Sequence, residues 1–193
     1  MISESGIASD LYKMFHVLFG GLKGGLAIGT MFMMVAISAM NGLSVAGMAI
    51  GATIALPEML KRNYDKRMIT GVVQAGSSLG ILIPPSVVMV LYGMIARQPV
   101  SKLWMAGILP GLLMASLFLI YIYVRCKLQP ELGPPLKKEE RNITTAEKIS
   151  LLKAGIIPFL IFFFMTGLFL MGIASLVECS AVGAFLATLA AIY

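Results

Sequence analysis

Charge is scarce in this sequence. Asp, Glu, Lys and Arg make up 12% of its 193 residues, hydrophobic side chains 59%, and the mean hydropathy is +0.92. A soluble domain usually carries about 25% charge. The few charges are also clustered. None falls from Gly24 to Pro57, from Met68 to Ala96, from Leu103 to Val124, from Ala154 to Val177, or from Cys179 to Tyr193. Soluble helices keep a polar face, so runs of this length exclude a water-soluble core. One bilayer crossing takes roughly 20 apolar residues. The second, third and fourth runs suit one crossing each. The first is too long for one and is interrupted at its middle, and the last is shorter than a full one.

Histidine is nearly absent, with His16 alone, and the only cysteines are Cys126 and Cys179. No zinc spacing, disulfide framework, workable carboxylate pair or Gly-rich phosphate loop with its Lys is present. These absences exclude an enzyme constellation, a cofactor site and an ATP site. Any pumping must draw on an ion gradient or on a partner. His16 reads as an interfacial residue and not a ligand, and both cysteines read as incidental small residues. The first twenty residues include Glu4, Asp10, Lys13 and His16 and lack the apolar core of a secretory leader.

The net charge of +6 does not point to nucleic acid, because the basic residues sit between apolar runs and not on one soluble face. Lys61, Arg62, Lys66 and Arg67 form one basic loop. Arg125, Lys127, Lys137, Lys138, Arg141, Lys148 and Lys153 populate a second, across 126–153. The connection between the Met68 and Leu103 runs holds only Arg97 and Lys102. By the positive-inside rule the two strongly basic loops share the cytoplasmic side.

The chain divides accordingly, and the expected fold is an all-α integral membrane protein. Residues 1–23 suit an amphipathic surface helix, with Leu11, Met14, Phe15, Leu18 and Leu22 at helical spacing. Residues 24–60 read as a helical hairpin turning at Asn41-Gly42, a strong turn dipeptide. A re-entrant hairpin puts Lys23 and the Lys61–Arg67 loop on one side; a single crossing would put Lys23 outside. Residues 68–96 read as a discontinuous transmembrane helix. Two prolines, Pro84 and Pro85, follow Gly76 and Gly80, and proline inside a helix costs about 3 kcal/mol or more. The freed backbone groups need protein, water or an ion.

Residues 103–125 suit a transmembrane helix with Trp104 as an aromatic-belt anchor and a kink at Pro110-Gly111. A polar loop follows, with a surface helix capped by Thr144 or Thr145. A Phe-rich transmembrane helix is expected over 154–177. Glu178, flanked by apolar runs, is either an interfacial or turn residue, which is the favoured reading, or a functional one.

The two interruptions suit a hard monovalent cation, which takes oxygen ligands. Ser38, Asn41, Gly42 and Ser44 at the hairpin tip would face Gly76, Ser78, Gly80, Pro84, Pro85 and Ser86 at the broken helix. Half-helix N-termini carry roughly +0.5 charge and would attract an anionic substrate. The competing reading is that these small residues serve close helix packing.

At these motifs the sequence resembles the large membrane subunit of tripartite ATP-independent periplasmic (TRAP) transporters. The matching stretches are Ser5 to Ala8, Leu22 to Ala27, Ser38 to Ala46, Leu56 to Asp65, Gly80 to Ser86 with Tyr92-Gly93, Ala106 to Gly111, and Gly172 through Glu178 to Gly183. They span nearly the whole chain in the family's order. The resemblance implies a multi-pass bacterial inner-membrane permease importing organic acids, such as C4-dicarboxylates, keto acids or sugar acids, by sodium symport. It implies a small membrane subunit and a periplasmic substrate-binding protein as partners. It also implies an elevator movement, with the first sodium site at the hairpin tip and the Pro-Pro-Ser break.

Two departures stand out. Ser175-Leu176-Val177-Glu178 replaces the family's Thr-Pro-Thr-Glu, and Asn41-Gly42-Leu43-Ser44 replaces Ser-Gly-Ser-Ser, removing one candidate hydroxyl. Family members are also about double the length. The resemblance therefore implies a first inverted repeat, with 178–193 opening the second: a truncated frame, or one piece of a split subunit needing the remaining permease segments. The alternative is a non-catalytic membrane assembly module or an inactive permease fragment.

Overall fold

A computed structural model of the chain describes residues 7–135, 160 and 162–192. The described residues form helices and turns without a strand. Helix α1 spans Ile7–Phe19, α2 Gly25–Asn41, α3 Ser44–Lys61, α4 Lys66–Ser78, α5 Val87–Ala96 and α6 Val100–Leu128. A helix over 162–170, α7, and Leu176–Ile192, α8, complete the order.

Helix α2 is the centre of the packing. Leu26, Ala27, Met31, Met33, Met34 and Ile37 are all at most 2% exposed. These residues line one side of the helix, and Gly25, Ile28, Gly29 and Ala39 are buried on the other, as expected of a helix surrounded by protein. Helix α1 packs its apolar face on α2: Leu11, Met14 and Phe15 are buried, and the Phe15 and Phe19 rings lie 5.7 and 5.0 Å from the Phe32 ring. Much of the face expected to lie on the membrane is thus covered by protein, while Leu18 and Leu22 remain exposed.

The turn at Asn41-Gly42 forms as expected. Gly42 takes φ +65 and donates its amide to the Ser38 carbonyl at 2.8 Å, closing α2 with a left-handed cap. Helix α3 then runs back antiparallel. Ser38 faces Gly47, Met34 faces Gly51, and the Thr30 hydroxyl, which donates to the Leu26 carbonyl at 2.8 Å, lies 3.6 Å from the Met59 sulfur. Glycines one helical turn apart let the two backbones approach closely. The hairpin base carries an ion pair, Arg62 to Glu58 at 3.1 Å, with Lys61 at 3.9 Å.

Asp65 caps α4, accepting from the amides of Arg67 at 2.9 Å and Met68 at 3.2 Å. Met68, Ile69, Val72, Val73 and Gly76 bury one face of α4. The helix then tightens into a 3₁₀ turn at Leu79–Ile81 and breaks before α5. The Pro84-Pro85 peptide is cis.

Helix α6 has 29 residues, about 43 Å at 1.5 Å rise per residue, and among the described residues it is the one helix long and apolar enough to cross a membrane. Its helical assignment runs through Pro110-Gly111 without interruption. Its outer surface is apolar, with Leu109 77% and Leu112 56% exposed. Its inner stripe, Trp104, Gly107, Gly111, Ala115, Ile122 and Cys126, is buried. Trp104 is 3% exposed and meets Phe169 edge-on at 4.7 Å, so it packs inward and is not an exposed belt residue.

Helix α7 ends at residue 170, and the chain turns over 171–175 with Gly172 at φ +71. The helix expected over 154–177 therefore stops early. The Thr144–Thr145 cap and most of the 126–153 loop lie outside the described residues.

Candidate functional site: the hairpin tip and the helix break

The hairpin tip is seated in the helix break. The Val87 amide, first in α5, donates to the Gly42 carbonyl at 3.1 Å. A Cβ on Gly42 would stand 2.8 Å from the Pro85 carbonyl oxygen, and one on Gly80 would stand 2.7 Å from the Ser38 Cβ. Backbone contact at both places requires glycine, because a side chain would hold the two elements apart.

Ser38 sits where three segments meet, between Gly47 of α3 and Gly80 of the 3₁₀ turn. It is fully buried, and its hydroxyl has no hydrogen-bond partner. A buried hydroxyl without a partner costs about 1–3 kcal/mol, and buried polar groups of this kind invite an explanation. Asn41 is half-buried and donates its side-chain amide to the Ile37 carbonyl at 2.8 Å. Ser44 opens α3 beside it.

The Ser86 hydroxyl donates to the Ile81 carbonyl at 2.8 Å and accepts from the Met89 amide at 3.3 Å. It caps α5 and spans the break, so its proton is committed. Among the described residues the carbonyls of Leu82, Ile83, Pro84 and Pro85 accept no backbone hydrogen bond. The missing amides of Pro84 and Pro85 release the carbonyls of Gly80 and Ile81, the latter taken by Ser86. The four carbonyls after them are left because the helix breaks and the Val87 and Met89 amides bond Gly42 and the Ser86 hydroxyl instead. Pro84 is buried and Pro85 half-buried.

Two expected residues lie elsewhere. Gly76 packs against the Met34 and Met31 side chains, one turn before the break, where it serves helix approach. Ser78 is exposed and donates to the Ala75 carbonyl at 2.8 Å. Helix α4 continues as far as Ser78, and its periodicity turns that side chain outward.

A cavity of about 290 Å³ adjoins the tip, lined by Asn41, Gly42, Ser86, Trp104, Cys179 and Ser180 among others. No Asp, Glu, Lys, Arg or His lines it among the described residues. Nor do the described residues hold a group of three His, Cys, Asp or Glu suited to a metal ion. The cavity's oxygen donors are neutral and suit a weakly held monovalent cation, and the sulfur-bearing Met40, Met165 and Cys179 line the same cavity. Trp104, Cys179 and Ser180 were not expected here. The stripe Trp104, Gly107, Gly111, Ala115 at intervals of three and four was a signal for the inward face of α6.

Glu178 does not reach the tip. It accepts from the Ser175 amide and hydroxyl, both at 2.7 Å, and its own amide donates to the Ser175 hydroxyl at 3.4 Å. This is a capping box that starts α8, and it fits the turn reading of that carboxylate.

The family model described as "Tripartite ATP-independent periplasmic transporter, DctM component" matches residues 1–193. The C4-dicarboxylate TRAP transporter large permease protein DctM of Pseudomonas aeruginosa is 34% identical over 128 residues, covering 66% of this chain and 30% of that protein. The isethionate TRAP transporter permease protein DctMQ of Oleidesulfovibrio alaskensis is 31% identical, covering 75% of this chain and 22% of that protein. The ectoine/5-hydroxyectoine large permease protein UehC of Ruegeria pomeroyi is 35% identical, covering 61% and 27%. The matched stretch thus spans less than a third of each of these relatives.

Proposed function

The chain belongs to the DctM-component family of tripartite ATP-independent periplasmic transporters, and from that premise we propose that it forms part of the membrane permease of a sodium-coupled importer of organic acids. Members of the family are transporters and not enzymes. In this reading the protein is multi-pass in the bacterial inner membrane. The hairpin is re-entrant and moves in an elevator step, and further permease segments complete the substrate path. A small membrane subunit and a periplasmic binding protein are its partners, the latter delivering the substrate. The relatives carry C4-dicarboxylate, isethionate and ectoine in their names, so the organic-acid class is the proposal and no single compound is named.

The observation that carries the reading is the tip seated in the break, with the Ser38 hydroxyl unpartnered and four break carbonyls free of backbone bonds. A sodium ion binding there would gather Ser38, Asn41, Gly42, Ser44 and oxygens of the Gly80–Ser86 break. It would thereby hold the tip closed over substrate. Uptake into proteoliposomes containing the complete complex and its binding protein tests this. A sodium gradient should drive accumulation, and replacing sodium by choline should abolish it. Equal uptake in choline would overturn the coupling.

A further inference from the structure

The most cationic surface of the described chain lies at the far end of the hairpin from its tip. Two successive carbonyls gather it. Leu132 accepts from the Asp65 amide at 3.3 Å, and Gly133 accepts from the Gly24 amide at 2.9 Å. These bonds bring three distant segments to one turn: the α1–α2 junction with Lys23, the α3–α4 loop with Lys61, Lys66 and Arg67, and the end of α6 with Arg125 and Lys127. Close packing holds the junction, since a Cβ on Gly24 or Gly133 would stand 2.6 or 2.8 Å from the Cys126 sulfur.

All six of those cations are exposed. The carboxylates nearby are largely committed. Glu58 pairs with Arg62 and Lys61, and Asp65 caps α4. Glu131 is the remaining one in the described turn. Among the described residues this end therefore carries a surplus of positive charge.

Helix α6 sets the depth of this surface in a bilayer. Tyr121 and Tyr123 are 62% and 44% exposed near its end, and the Lys127 ammonium lies 6.0 Å from the Tyr123 ring centre. One turn earlier the exposed residues are apolar, Leu117 and Ile120. Exposed tyrosines following an apolar surface mark the headgroup level, with Lys and Arg reaching outward beyond it. The cationic end thus coincides with the plane of lipid phosphates.

We propose that this end is a headgroup-binding collar for anionic phospholipid in the cytoplasmic leaflet, with Lys23, Lys66 and Arg67 engaging the lipid phosphate. Lysine and arginine donate to phosphate oxygens, and each such charge near an anionic surface is worth roughly fivefold in affinity. A zwitterionic lipid offers the same phosphate but adds a cation that the surplus charge repels. The proposal rests on α6 crossing the bilayer and is independent of the sodium site.

Native mass spectrometry of the full chain in micelles doped with phosphatidylglycerol or phosphatidylcholine tests it. The native chain should retain phosphatidylglycerol at least about tenfold better. The triple variant Lys23→Gln, Lys66→Gln, Arg67→Gln should lose that preference, while Arg97→Gln with Lys102→Gln, at the other end of α6, should keep it. Equal retention of both lipids by the native chain would overturn the proposal. So would loss of preference in the Arg97/Lys102 variant, or displacement of the lipid by millimolar glycerol phosphate. Carbonate extraction of membranes tests the crossing separately: a chain that resists extraction yet shows no lipid preference refutes the collar alone.

Discussion

The Val87 amide donates to the Gly42 carbonyl at 3.1 Å, a bond that ties the turn between α2 and α3 to the first residue of α5. It uses one tip oxygen within the protein, while the break carbonyls beside it accept no backbone hydrogen bond among the described residues. Gly42 also holds φ +65 with the Pro85 carbonyl against the space a Cβ would fill. Gly42→Ala should therefore lower stability by about 1–3 kcal/mol from backbone strain, before any clash is counted. A denaturation midpoint of the chain in micelles checks this, and an unchanged midpoint would contradict it.

Two glycines on either side of the α4 terminus should respond in opposite directions. A Cβ on Gly80 meets Ser38, whereas one on Gly71 meets nothing within 4 Å. Gly71 is exposed in the interior of α4. Gly71→Ala should raise stability by about 0.5–1 kcal/mol through helix propensity, and Gly80→Ala should lower it. Thermal midpoints of the two variants, measured side by side, decide the point.

Trp104 is the sole tryptophan of the chain and is 3% exposed. Its emission should be blue-shifted and protected from iodide. Phe169→Ala, which removes the ring 4.7 Å away, should red-shift it. A solvent-like emission maximum in the native chain would place the indole at the interface after all.

The capping box at Ser175 and Glu178 predicts local fraying. Ser175→Ala should speed hydrogen exchange at the amides of Leu176 to Cys179 while leaving α2 and α3 unaffected. Unchanged exchange there would mean that α8 starts without the box.

The hairpin and the break were legible in the sequence because their signals are local. Asn41-Gly42 and Pro84-Pro85 dictate backbone conformation on their own, and both interruptions lie where those residues put them. Trp104 was misread because its facing depends on which side of α6 meets the break. The glycines at 107 and 111, which accommodate Leu82 and Ile83, reveal that side only once the break is in position. Gly76 and Ser78 were grouped with the site by proximity in sequence, yet α4 persists to Ser78 and carries them away from the tip. The burial of α1 against α2 depends on the stacking of Phe15, Phe19 and Phe32, a contact between two helices that the periodicity of α1 alone does not encode.

The most direct test of the proposed sodium site is the sodium-induced shift in thermal midpoint of the chain, native against Ser38→Ala. The native hydroxyl is buried and unpartnered, so its removal relieves a cost of about 1–3 kcal/mol when no ion is bound. In sodium-free buffer the variant should therefore melt at or above the native midpoint. Adding sodium should raise the midpoint of the native chain and leave that of the variant in place. Equal sodium shifts in the two proteins would contradict the assignment of Ser38 to the ion site.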